Sequence, residues 1–219
     1  MIRTFKIVFE QPSNGINVDY KRSLHGFMCN LCGDNNYGSN NSKYSYTGLR
    51  GGTIINNEIK FKNSPYILIR IGSSEVFNSF INQLPNMTKS LMGLKIIGIV
   101  EVFVDMNRTL FKTQPDTPLR LGKKFENIHR KLNHDEKENA EQYLINQVKQ
   151  RAIADNVIID ENLSIKIVNE YKPVIVNYRG IYSNSRVFDL NINCDSLTKE
   201  YILLHGLGKS NASGFGFIY

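Results

Sequence analysis

The sequence predicts an α+β protein made of two small modules in tandem, each running strand, helix, strands, helix, strand. Three observations predict this. Apolar residues alternate at period two over residues 2–10, shift to helical spacing over 19–32, then pass through β-prone runs and a second helix to a strand at 94–104. The segment Thr113-Gln114-Pro115-Asp116-Thr117-Pro118 has the turn-rich composition of a junction. After it, the chain repeats the same order loosely, with no detectable sequence identity between the halves. A chain of 219 residues is long enough for two small cores. The plan is that of tandem ferredoxin-like (RRM-like) domains, 1–112 and 113–219, the second ending in a glycine-rich loop.

Each element has its own warrant. Ile2, Phe5, Ile7 and Phe9 mark the first strand, and Pro12-Ser13-Asn14-Gly15 the loop after it. Tyr20, Leu24, Phe27, Met28 and Leu31 make one face of a helix over 19–32. Residues 33–43 are a polar loop. Runs at 44–49, 52–62 and 65–71 read as strands. Ser73 or Ser74 caps a helix over 75–84, and 94–104 is a strongly β-prone strand. In the second half, Leu119-Arg120-Leu121 reads as a strand and 136–156 as a long helix. Runs at 163–168, 173–182 and 185–192 read as strands, and 198–205 as a short helix. The final run Phe215-Gly216-Phe217-Ile218-Tyr219 reads as a closing strand.

Composition narrows the function classes. Lys+Arg is 27 against Asp+Glu 20, a formal net charge of +7 with a sequence pI near 9.2. That balance suits a polyanionic partner such as nucleic acid. Tyrosines beside basic residues, as in Tyr20-Lys21-Arg22 and Lys43-Tyr44, suit base stacking next to phosphate contacts, though ordinary packing explains such pairs equally well. No apolar stretch reaches membrane-spanning length, and the N-terminus reads as a strand rather than a signal peptide. Three cysteines argue against a disulfide framework and for a reducing cytoplasm. Cys29-Asn30-Leu31-Cys32 has half a zinc site's spacing, but no second half follows. Two small hydrophobes on a buried helix face is the better reading. No His/Asp/Glu cluster at metal-ligand spacing is expected.

The most informative stretch is His205–Tyr219. Gly206 and Gly208, then Gly214 and Gly216, bracket a polar segment containing Lys209, Ser210 and Asn211. Such a loop can take φ > 0 and lie against phosphates; the competing reading is a glycine-rich hairpin with no ligand. It is not a nucleotide-binding P-loop, because position 203 is Leu rather than Gly and no helix follows. Of the four histidines, His25 falls in the first helix. Its imidazole can both take and give a proton near neutral pH, and its alternative role is that of a half-buried helix histidine. Lys123, Lys124, His129, Arg130, Lys131 and His134 form a basic stretch, by default a solvated surface and otherwise a grip on a phosphate backbone.

At these residues the chain resembles the CRISPR-associated repeat-processing endoribonucleases (the Cas-six family), within the larger group of repeat-associated RNA-binding proteins, the RAMP superfamily. The strongest match is Gly206-Leu207-Gly208-Lys209-Ser210-Asn211-Ala212-Ser213-Gly214-Phe215-Gly216. Leu24-His25-Gly26-Phe27-Met28 resembles the first helix. Lys43-Tyr44-Ser45-Tyr46-Thr47-Gly48-Leu49 resembles the strand that follows it, and Asp116-Thr117-Pro118-Leu119-Arg120-Leu121 the opening of the second domain. The ordered set covers nearly the whole chain.

The resemblance implies cleavage of CRISPR repeat RNA without metal or cofactor. The substrate 2′-hydroxyl attacks the adjacent phosphate, leaving a 2′,3′-cyclic phosphate and a 5′-hydroxyl. The chemistry needs a base, an acid and a cation for the phosphorane charge. His25 is implied as the base and Lys43 as the residue facing the phosphate. Tyr20 orients the scissile nucleotide, holds the base or simply packs. Implied RNA contacts are Gly206, Gly208, Lys209, Ser210, Asn211, Gly214 and Gly216, with Lys123, Lys124, Arg130 and Lys131 gripping the backbone. Partners implied are precursor and mature guide RNA and other CRISPR effector subunits, with the chain a monomer or homodimer and no membrane involved. The chain departs from the pattern in one respect: the loop Gly33–Ser42 holds no histidine, where many members carry theirs. That keeps two alternatives open, a site of lysines and tyrosines, and a non-catalytic subunit that holds guide RNA.

Overall fold

The computed structural model describes residues 2–33, 43–86, 91–178, 181–210 and 214–219. In chain order the first half holds β1 (Arg3–Phe9), β2 (Ile16–Asn17), α1 (Lys21–Cys32), β3 (Tyr44–Tyr46), β4 (Arg50–Ile55), β5 (Glu58–Ile71), α2 (Ser74–Gln83) and β6 (Ile96–Val102). The second holds β7 (Leu110–Lys112), α3 (Lys123–Glu126), α4 (His134–Ala154), β8 (Ser164–Glu170), β9 (Val174–Tyr178), β10 (Ile181–Ser185), β11 (Phe188–Asn193) and α5 (Ser196–His205).

In the first sheet β5 lies between β1 and the strands that follow α1, and β6 lies on the other side of β1, all antiparallel. This is the split strand–helix–strand arrangement of a ferredoxin-like module. Alternation on β1 and β5 sends Phe5, Ile7, Phe9, Ile67, Ile69 and Ile71 into one core. Leu24, Met28 and Leu31 of α1 and Val76 and Phe80 of α2 cover it. Phe5 and Phe80 meet in a tilted arrangement, with ring centroids 5.1 Å apart.

The second sheet has the order β7-β11-β8. Ala140, Leu144, Val148 and Ala152, spaced four apart on α4, pack with Ile165, Leu190, Ile192 and Leu203. Asn133 and Glu136 form a capping box that starts α4, and Asp195 caps α5 through the Thr198 amide at 2.6 Å. Beyond α5 the chain returns alongside β7, where Lys112 and Tyr219 exchange two backbone hydrogen bonds at 2.9 and 3.1 Å. That is the place β6 takes against β1, so the second half repeats the first. β7 precedes the expected junction yet belongs to this second sheet.

The expected closing strand 215–219 is not a regular strand: Phe215–Ile218 are buried, but Gly216 has a φ of +70°. β7 is only three residues long, and the Gly216 amide is drawn to the Pro118 carbonyl at 3.2 Å, so one rung of the ladder forms. Two strand boundaries also differ from expectation. The break expected after residue 62 falls at Asn56-Asn57, both with positive φ, which join β4 to β5. Pro65 is tolerated inside β5 because the pairing with β4 shifts between Arg50 and Gly52, opposite it. Similarly, the run read as 173–182 is a hairpin of β9 and β10. Leu119 and Arg120 make isolated bridges to Arg186 and Lys209 rather than a strand.

The modules join through the β5 face opposite the first core. Arg70, 2 % exposed, donates to the Leu203 carbonyl at 3.1 Å and lies 4.1 Å from the Phe217 ring centroid. Burial draws its pKa down to about 9, which still leaves it a cation at neutral pH. A cation near the C-terminal end of α5 is favourably placed against that helix's dipole. Gly72 permits the approach, since a Cβ there would lie 2.3 Å from a Leu204 methyl.

Candidate functional site

His25 faces inward from α1 and is 5 % exposed. Its Nδ1 lies 2.9 Å from Tyr46 Oη, and its Nε2 lies 3.3 Å from Cys29 Sγ, one helical turn on. Tyr44 and Tyr46 alternate with Ser45 on β3, so both phenols point to the α1 side while Ser45 reaches the Leu203 carbonyl at 3.5 Å. Tyr44 donates to the Gly33 carbonyl at 3.0 Å, tying β3 to the end of α1. Gly214 closes this group from the second module. A Cβ there would lie 2.8 Å from Tyr46 Cε2, and its φ of +77° suits glycine. The loop and the imidazole are thus separated by one tyrosine ring. Cys32 is buried with burial raising its pKa, as a packed thiol should be, whereas Cys29 is half-buried beside the imidazole.

Tyr20 belongs to another neighbourhood. Five residues from His25, it projects about 140° around the helix. Its buried phenol accepts the Leu49 amide at 2.9 Å, and burial raises its pKa. Gly48 leaves room for it, as a Cβ there would lie 2.3 Å from that oxygen. Next to it, Lys21 is buried, donates to the Asp116 carbonyl, and lies 5.0 Å from the Phe215 ring centroid. Arg50 pairs with the Asp116 carboxylate at 3.0 Å and lies 4.4 Å from the Tyr219 ring centroid. The Asp116-Thr117-Pro118 motif is therefore the seam between modules. It forms one side of a cleft of about 880 Å³ whose walls include Tyr66, Ile175 and Tyr182. Tyr182 and Ile175 are largely exposed on the β9–β10 hairpin.

Burial lowers the Lys21 pKa from 10.5 to about 8, with Asp116 partly opposing. Between those values the unfolded chain holds a proton that the folded chain has lost, so stability rises with pH through that window. The slope is at most about 1.4 kcal/mol per pH unit. Below it, Lys21 is charged in both states and the burial penalty applies in full. The expected result is that wild type gains on Lys21→Met as pH rises from about 7 to about 10 in denaturant titrations. Parallel curves would show that Lys21 is not the titrating group.

The glycine-rich stretch is mostly internal. Gly206, Gly208, Gly214 and Gly216 are buried and have positive φ. Gly208 lies against the Arg120 backbone, where a Cβ would meet the carbonyl oxygen at 2.6 Å. Arg151 of α4 holds the carbonyls of His205, Gly206 and Gly208 at 3.0–3.3 Å. Among the described residues of the stretch, Lys209 is exposed and Ser210 half-exposed, while Asn211 lies outside the described residues. Arg120 connects this tip to the basic stretch, donating to Ser210 Oγ at 3.0 Å and to Glu126 Oε1 at 3.2 Å. Lys123, Lys124 and Lys131 are exposed. Arg130 is exposed too, but its guanidinium is engaged by Glu136 at 2.7 and 3.0 Å.

Lys43 lies at the start of β3 and pairs with Glu75 of α2 at 3.5 Å. The three catalytic candidates thus have different surroundings: Tyr20 at the seam, His25 under Tyr46, Lys43 beside α2. The expectation of no cluster at ligand spacing is corrected by His134, Asp135 and Glu138, whose ligand atoms lie within 4.8 Å of one another. All three are exposed in the first turns of α4, where carboxylates offset the helix dipole and pair with an imidazole without an ion. Sequence reasoning missed Tyr46, Lys21 and Arg120 as site residues. Only the four-residue spacing of His25 and Cys29 was a readable signal of a neighbour.

No protein-family model and no curated protein matches the chain. Its fold matches solved structures. The product of a Cas6-related gene from Pyrococcus furiosus superposes with a TM-score of 0.78 at 13 % identity, over 100 % of this chain and 98 % of that one. A RAMP protein binding different RNA substrates gives 0.73 at 12 % identity, over 100 % and 98 %. A crystal structure of Cas6b gives 0.59 at 18 % identity, over 100 % and 99 %. At such identities the likeness is one of fold. This chain has the tandem ferredoxin-like fold of Cas6 and RAMP proteins over its full length. No helix among the described residues is long and apolar enough to cross a membrane.

Proposed function

We propose that this protein is a CRISPR repeat endoribonuclease of the Cas6 kind. It cleaves by attack of the substrate 2′-hydroxyl on the adjacent phosphate, leaving a 2′,3′-cyclic phosphate and a 5′-hydroxyl. The observation that carries the reading is His25, hydrogen-bonded beneath the glycine-rich segment in a fold that follows Cas6 from end to end. One solved neighbour is a Cas6 product complex, with a TM-score of 0.58. His25 takes the proton from the 2′-hydroxyl. Lys209 and Ser210, with Lys123 and Lys124 on the Arg120 side, meet the phosphates. Phosphate contacts of this kind make affinity fall with salt.

The test is cleavage of end-labelled repeat RNA in excess EDTA with the product ends identified. Cyclic-phosphate and 5′-hydroxyl ends are expected. Cleavage that appears only on adding Mg²⁺, or that leaves 5′-phosphate ends, would overturn the mechanism. A second reading, an RNA-binding subunit that holds guide RNA without cutting it, is favoured by the 5 % exposure of His25. It expects tight, salt-sensitive binding and intact RNA under every condition.

A further inference from the structure

Among the described residues, the two ring nitrogens of His25 meet different groups, and these are not chemically equivalent. Tyr46 Oη, at 2.9 Å from Nδ1, both donates and accepts strongly. Cys29 Sγ, at 3.3 Å from Nε2, is a weak donor and a weak acceptor. Of these two contacts, the one to the phenol is the stronger hold on the ring's orientation. The surroundings agree. Tyr46 is 1 % exposed and fixed on β3, whereas Cys29 is half-buried.

We infer that Tyr46 is the positioning residue for His25. Its Oη accepts from Nδ1–H, fixing the tautomer in which Nε2 carries the lone pair, and Gly214 of the glycine-rich segment seats the tyrosine ring. This rests on the reading of His25 as the base. A base must present an unprotonated nitrogen to the 2′-hydroxyl, and only the Nδ1–H tautomer does so at Nε2. When Nε2 takes that proton, the imidazolium keeps its Nδ1–H bond to Tyr46, so the hydrogen bond persists through the step. With the opposite tautomer, Nδ1 would have to receive the proton, and that edge is closed by a buried ring. The second module enters through Gly214, because any side chain there meets Tyr46 Cε2 at 2.8 Å. The RNA-facing segment and the base are thereby in register through a single ring.

The experiment is a long-range ¹H–¹⁵N correlation of imidazole-labelled protein at about pH 8, where a histidine is neutral. The His25 signals are identified by their loss in His25→Ala. Wild type is expected to show Nδ1–H with an unprotonated Nε2. Tyr46→Phe keeps the ring that Gly214 packs on and removes only the oxygen, so the Nε2–H tautomer should take over. In cleavage of repeat RNA, kcat should fall about tenfold or more, part of the 10²–10⁴ that a base supplies, while KM stays within about twofold. Gly214→Ala, with the phenol intact but its seat occupied, should lose the Nδ1–H signature as well. An Nε2–H tautomer in wild type, or a Tyr46→Phe variant with unchanged tautomer and kcat, would overturn the inference. The tautomer is read without any cleavage. A protein that cuts no RNA but changes tautomer in Tyr46→Phe would therefore remove the base reading and keep the hold of Tyr46 on the ring.

Discussion

His25→Ala is expected to lower single-turnover cleavage of repeat RNA by about 10²–10⁴, the range a general base contributes, with the RNA dissociation constant unchanged within about twofold. The separation of the two effects follows from the geometry. The groups proposed to meet phosphates, Lys209 and Ser210 at the loop tip and Lys123 and Lys124 on α3, are carried by the second module. His25 is carried by α1 of the first, behind Tyr46. Removing the ring therefore deletes a proton acceptor and leaves the charges in place. It also takes one hydrogen-bond partner from Tyr46 Oη and Cys29 Sγ and leaves a small void, a change worth about 1–3 kcal/mol. His25→Gln, whose amide can still meet Tyr46, provides the control for that cost. It should unfold close to wild type and still fail to cleave. Cleavage at the wild-type rate by both variants would remove His25 from the mechanism and turn attention to the lysines and tyrosines, Lys21 and Tyr20 first, because they share the seam with Asp116.

What the sequence made legible was whatever a short window encodes. The alternation of Phe5, Ile7 and Phe9, the one-sided face of Leu24, Met28 and Leu31, and the Ser73 cap, which accepts the Val76 amide at 3.2 Å, all specify their elements locally. Asn56-Asn57 hid a hairpin because asparagine tolerates positive φ without a glycine to advertise it. The charged core was illegible for a different reason. Lys21, Arg70 and Arg186 are ordinary cationic residue types, yet each is buried against carbonyls supplied from 56 to 133 residues away in sequence, as with Arg186 to Arg130 and Arg70 to Leu203. No window contains such partners. The site divides the same way. His25 and the glycine-rich stretch were visible as residue types. Tyr46 as the partner of His25, and Arg120 as the link between Ser210 and Glu126, depend on proximities that only the fold creates.

Arg186→Met is expected to destabilise the protein by about 3–5 kcal/mol, the cost of leaving one member of a buried ion pair alone. Arg186 is 0 % exposed and Glu170 5 %. The guanidinium meets Glu170 Oε1 at 2.9 Å and donates to the carbonyls of Arg130 at 2.7 Å, Phe125 at 3.1 Å and Ile128. The other carboxylate oxygen accepts the Leu132 amide at 2.8 Å. The pair thus pins the whole segment 125–132 from inside, and that segment bears or adjoins Lys123, Lys124, Arg130 and Lys131. Met fills the volume but satisfies neither the carboxylate nor the three carbonyls. Adding Glu170→Leu removes the stranded charge, so the double variant should recover part of the stability lost in the single variant. It should not recover RNA binding in full, because the carbonyls that hold the basic segment remain unmet. The double variant should therefore be more stable in denaturant than Arg186→Met alone and yet bind repeat RNA with a shallower salt dependence than wild type. On a single strand, the slope of log K against log salt should drop by about 0.7 for each phosphate the protein no longer neutralises. Wild-type stability in the single variant would mean that the ion pair does not carry the segment. A double variant with an unchanged salt slope would mean that Lys123, Lys124 and Lys131 do not touch the RNA, and that Lys209 and its neighbours at the loop tip meet the phosphates instead.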